Sequence, residues 1–135
     1  MIDLPVTNQY KESEKNLFNY LDRHREELIS STGSEILIAI ARHYWTFLKM
    51  KVYNTSNQIL SIPDCVPLAH GIEGDSCIRY GWDRNEHYLE CEIFSNGSKE
   101  FFYRNRFTKE NWGEDYLAKQ DISETAIGKL SLFVE

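Results

Sequence analysis

The residues best suited to nucleophilic or metal chemistry are three cysteines, Cys65, Cys77 and Cys91, and four histidines, His24, His43, His70 and His87. A thiol beside an imidazole makes a nucleophilic dyad, so Cys65 or Cys77 with His70 or His87 are the pairs to weigh. Reactive thiols need an electropositive setting. Residues 61–135 hold fourteen acidic side chains against eight basic, the opposite setting. No glycine-framed nucleophile is present either. A zinc site needs ligands at short fixed spacing, and neither Cys-x-x-Cys nor His-Glu-x-x-His occurs. No catalytic residue, metal or cofactor is therefore expected, and the thiols are read as inert. Cys91 alternates with Leu89 and Ile93 and reads as a small core residue.

Other chemistries fare no better. Glu90 and Glu92 share one strand face, whereas general acid–base work needs a cleft that shifts the pKa. Gly71-Ile72-Glu73-Gly74 would repel a phosphate through Glu73 and Asp75, and it completes no glycine-rich fingerprint. Short basic clusters occur at Arg23-His24-Arg25, at Arg42-His43 with Lys49 and Lys51, and at Arg104 with Arg106. The chain nevertheless carries a net charge of −6, all of it in residues 61–135. Nucleic acid is a disfavoured partner, because phosphate binding needs a concentrated basic surface.

The 135 residues are 41% hydrophobic and 27% charged. This suits one domain, 1–135, with a helical part at 1–58, a sheet at 59–107, and a tail with a short helix at 108–135. The longest apolar stretch, Ile36 to Ile40, is too short to span a bilayer. The start, Met1-Ile2-Asp3-Leu4-Pro5, shows no signal peptide. An odd cysteine count at wide spacing argues against a disulfide framework. A cytoplasmic setting is expected.

Hydrophobic periodicity supplies the elements that must position these residues. Tyr10, Leu17, Phe18, Leu21, Leu28 and Ile29 form one stripe of a helix from about Thr7 to Ser30. Thr7 or Asn8 can cap it, and Gly33 can stop it. Ser34 can cap a second helix, about Glu35 to Tyr53. Its main stripe is Leu37, Ile40, Ala41, Tyr44 and Leu48, widened by Ile36, Ala39, His43 and Phe47. Prolines 63 and 67 reduce Asp64 to His70 to an edge strand. Alternation then places Ile78, Tyr80 and Trp82 on one face, and Leu89, Cys91 and Ile93 on the same face of the next strand. Asn96-Gly97 signals a hairpin. A three-residue loop, Ser95-Asn96-Gly97, would pair position 91 with 101, burying Phe101 and Tyr103 and turning Phe102 outward. Residues 108–120 read as a polar tail. Ser123 caps a last short helix, with Ile122 and Ile127 at the spacing of a hydrophobic staple. The expected class is α+β: two N-terminal helices packed on a three- to four-stranded antiparallel meander, with a short C-terminal helix.

Pro63-Asp64-Cys65-Val66-Pro67, Ile78-Arg79-Tyr80-Gly81-Trp82, Leu89-Glu90-Cys91-Glu92-Ile93 with Asn96-Gly97, and Gly113-Glu114-Asp115-Tyr116 together resemble a group of small uncharacterised bacterial proteins. Those share a Pro-rich extended start, a strand ending in Trp, a Leu-x-x-Glu-Ile strand and an Asp-Gly or Asn-Gly turn. The resemblance covers about half the chain and is structural throughout. It implies a bacterial α+β domain and carries over no catalytic residue.

Aromatic residues reach 13%, more than a core of this size needs. Parity turns Tyr88, Phe94 and Phe102 outward. Surface aromatics favour protein contacts, unless the tail around Trp112 and Tyr116 covers them. The expected function is that of a protein-binding module of antitoxin, immunity or inhibitor type. It would contact a basic protein, or itself as a homodimer, through Tyr88, Glu90, Glu92, Glu100 and Phe102. The balance is against an enzyme. The alternative is a small-ligand-binding or enzymatic α+β domain with a pocket between sheet and helices lined by Tyr44, Cys77, Trp82 and His87. RNA binding on an aromatic sheet face ranks third.

Overall fold

The computed structural model of the chain describes residues 4–23, 35–70 and 75–135. Helix α1 spans Asn8–Arg23, and α2 spans Glu35–Ser56. Five strands follow: β1 (Asp64–His70), β2 (Asp75–Arg84), β3 (His87–Phe94), β4 (Lys99–Asn105) and β5 (Asn111–Tyr116). Helix α3, Glu124–Leu130, runs into a single 3-10 turn, Ser131–Phe133. The sheet is an antiparallel meander in the order β1-β2-β3-β4-β5. The expected helix extension through Leu28 and Ile29, the Gly33 stop, the Ser34 cap, His24, the turn at 71–74 and the side chain of His70 lie outside the described residues.

The Thr7 hydroxyl accepts from the Tyr10 amide at 3.1 Å, which makes Thr7 the cap of α1. Tyr10, Leu17 and Leu21 are buried. In α2 the main stripe lies inward, but of its widening only Phe47 packs against the core. Ile36 is 64% exposed, and Ala39 and His43 face solvent, whereas Ile38, Trp45 and Val52 are buried. The cause is α1, which covers that flank. The Trp45 indole donates to Glu14 of α1 at 2.7 Å, and Lys49 pairs with the same carboxylate.

The hairpin register follows the three-residue loop. Cys91 pairs with Phe101, and Gly97 takes the left-handed φ of 87° that a side chain disfavours. The Phe94 amide donates to the Ser98 carbonyl and the Gly97 amide to the Phe94 carbonyl, closing that loop. Ile78, Tyr80, Trp82, Leu89, Cys91, Ile93, Phe101 and Tyr103 are all buried on one face, against Leu37, Tyr44 and Leu48 of α2. Ile40 is only half-buried there.

Among the described residues the sheet has five strands, not three or four. Residues 111–116, expected as tail, pair with β4 from Lys99↔Tyr116 to Arg104↔Asn111. Asn, Gly and Asp on the outward positions have low strand propensity, and Glu114 breaks the apolar alternation of Trp112 and Tyr116. An edge strand is half solvated and tolerates that composition. Ser123 caps α3 by accepting from the Ala126 amide at 3.1 Å, and Ile122 before it is buried. The chain end is tied down by a bridge between Leu60 and Val134 and by the Arg84 guanidinium on the Val134 carbonyl at 2.6 Å.

Leu89 has no exposed surface at the centre of this core. Truncation to Ala should cost about 2–5 kcal/mol, measured by urea unfolding. A loss below about 1 kcal/mol would contradict the packing described.

Candidate functional site

Helices cover one face of the sheet. Alternation sends every second strand residue to the other face, and register aligns those residues in rows. One row is Val66, Arg79, Glu92, Glu100 and Asp115. The next is Asp64, Gly81, Glu90, Phe102 and Gly113. A third is Asp83, Tyr88, Arg104 and Asn111. The expected contact residues Tyr88, Glu90, Glu92, Glu100 and Phe102 are thus brought together on one surface. Asp115 and Val66 join them. They were missed because β5 reads as tail and β1 as a marginal edge; the even spacing of Trp112 and Tyr116 was the available signal.

This surface is part apolar and part acidic. Phe102 is 39% exposed and Val66 40%. The Tyr88 hydroxyl donates to Glu90 at 3.0 Å, and Arg79 lies 3.9 Å from the same carboxylate. Burial, then the Glu90 hydrogen bond, pushes the Tyr88 phenol up to about 12. Arg106 holds Asp83 through two bonds of 2.8 and 2.6 Å and lowers its pKa. At one corner the Cys77 thiol, fully buried, donates to Glu92 at 3.3 Å. The C-terminal segment does not lie over Phe102. Trp112 and Tyr116 belong to β5 and flank Phe101 on the covered face, with ring centroids 6.4 and 5.6 Å away. The residue beside Phe102 in β5 is Gly113.

The four residues of the expected pocket do not share a cavity. Cys77 lies on the open face, and the other three on the covered one. The Trp82 indole donates to the Ser61 carbonyl at 2.8 Å. His87 Nδ1 is 2.6 Å from the Tyr103 hydroxyl, Nε2 is 3.3 Å from Glu86, and its ring packs on Phe133. Tyr44 stacks on Phe47, its hydroxyl buried without a hydrogen-bond partner among the described residues, and the Lys99 ammonium sits 4.4 Å from the centre of its ring. A cleft of about 740 Å³ lies along α1 and α2, lined by Phe18, Ile38, Arg42 and His43, and holds none of the four.

Burial disfavours the thiolate at all three cysteines. Burial pushes Cys65 up to about 12 and raises Cys91 well above its ordinary value. Cys77 is raised by burial and then by its bond to Glu92. Cys77 and His87 face opposite ways, so that dyad does not form. Among the described residues, no three metal-binding side chains converge, and no helix is long and apolar enough to cross a membrane. Compared with protein-family models, curated proteins and solved structures, the chain matches none.

All three thiols should resist iodoacetamide at neutral pH in the native protein, reacting at least about a hundredfold slower than after unfolding, where the pKa returns to roughly 8.5. Rapid native modification would restore the nucleophile reading. Linkage gives a second expectation. A thiol protonated to about pH 12 when folded but only to roughly 8.5 when unfolded keeps its full share of stability below the lower value. That share is lost as pH rises between the two. Urea midpoints should therefore hold to about pH 8 and fall from about pH 9 upward, and Cys65→Ser should flatten the fall.

Proposed function

We propose that this chain is a protein-binding module whose open sheet face engages a basic partner protein, in the manner of an antitoxin, immunity or inhibitory protein of the bacterial cytoplasm. The observation that carries this reading is the state of that face. Half-exposed Phe102 and Val66 sit among Asp64, Asp83, Glu90, Glu92, Glu100 and Asp115, with Arg79 and Arg104 as the basic side chains in the same rows. Apolar surface gains roughly 25 cal/mol per Å² when a partner covers it. The surrounding carboxylates steer a cationic surface toward it and repel acidic competitors. A second copy of the chain is the weaker fit, since each copy carries a net charge of −6.

The test is a photo-reactive phenylalanine analogue at position 102 in cells expressing the chain, with the adduct identified by mass spectrometry. An adduct with one basic protein supports the reading. Adducts with itself alone, or none, overturn it. With the partner in hand, Phe102→Ser should leave folding intact and weaken capture about tenfold or more. Glu92→Lys with Glu100→Lys should mainly slow association and flatten its salt dependence, as read by stopped-flow kinetics.

A further inference from the structure

The two edges of the sheet are built differently. β1 contains Pro67, which has no amide to offer a further strand, and α1 contacts it. β5 contains neither proline nor lysine, and Asn111, Gly113 and Asp115 are exposed along it. The Asn105 amide donates to the Glu110 carbonyl at 2.9 Å, and antiparallel pairing alternates from there. Trp112, Glu114 and Tyr116 therefore bond to β4, and the backbone of Asn111, Gly113 and Asp115 points away from it. By that alternation the three amides turn away from β4, and none of them donates in a turn or side-chain hydrogen bond among the described residues. An unprotected edge of this kind is a template for one more strand.

The side chains beside that edge indicate what would add. Asp115 ends the row that runs through Glu100 and Glu92. Gly113, the cross-strand partner of Phe102, adds no side chain beside that half-exposed ring. A strand laid along β5 would place alternate side chains next to Asp115 and Gly113, where a cation and an aliphatic stem fit. The geometry points to strand addition: the basic partner contributes an extended segment with alternating lysine or arginine residues, paired along the free edge of β5. This rests on the reading of a basic protein partner. Main-chain bonds would supply affinity, and the acidic row would select the charge pattern.

The probe is the peptide Lys-Val-Lys-Thr-Lys-Val-Lys-Thr, against the same peptide N-methylated at alternate residues. Methylation keeps the charges and removes the amides that would face β5. The methylated peptide should bind about tenfold more weakly or worse by fluorescence anisotropy. The unmodified peptide should slow hydrogen exchange at the Gly113 and Asp115 amides. Asp115→Pro should abolish that binding, while Asp115→Asn should weaken it only about two- to fivefold. If Asp115→Pro fails to fold, the two peptides on the unaltered protein still decide. Equal affinity for both peptides, or unchanged exchange, overturns strand addition. If Phe102→Ser then still weakens binding, the open-face reading survives alone. No binding of either peptide also overturns strand addition and leaves the open-face reading to the cross-link at position 102. Protection of the same amides by self-association, without peptide, overturns it as well.

Discussion

A sheet that the described helices cover on one face only is the constraint from which the rest of this molecule follows. Each strand residue belongs to one of two surfaces, and a shift of one position would exchange them. Helix α2 lies against β2 and β3, and the Tyr80 hydroxyl reaches through to the Ala41 carbonyl at 2.5 Å. That bond and the rings around Tyr44 hold helix and sheet in one register. With α2 seated, α1 closes its far flank through Trp45, and the 3-10 turn after α3 packs on β2 and on His87 through Phe133.

The same constraint fixes several polar groups in place within the core. A buried polar atom costs about 1–3 kcal/mol when left unpaired, and apart from the Tyr44 hydroxyl several polar tips of the core act as ties. Tyr10 donates to the Leu60 carbonyl at 2.6 Å, Trp82 to Ser61, and Arg84 to Val134. His87 is held between Tyr103 and Glu86. Lys99 is buried over the Tyr44 ring, and its ammonium donates to the Ala118 carbonyl at 3.2 Å. These contacts tie the sheet to the linker, the C-terminal segment and α2. On the other face carboxylates and half-exposed apolar groups stand in rows.

Local pattern alone determined much of this protein. Alternation in β2 and β3 assigned their two faces, and the left-handed preference of Gly97 chose the register that buries Phe101. Ser123 with Ile122 marked the start of α3. Each of these depends on neighbours within a few residues, so sequence order is enough to read them. Only the tertiary structure decided which flank of α2 is buried, because that depends on where α1 packs, a contact between residues 31 apart at Trp45 and Glu14. It also decided that 111–116 is a strand, since such a weak sequence takes that form only where β4 offers it an edge. The place of Cys77 opposite Trp82, by contrast, was legible in the strand alternation that placed Ile78, and it already separated Cys77 from the rest of the expected pocket. The composition of one segment could not reveal that pairing across strands, not proximity in sequence, sets which side chains meet.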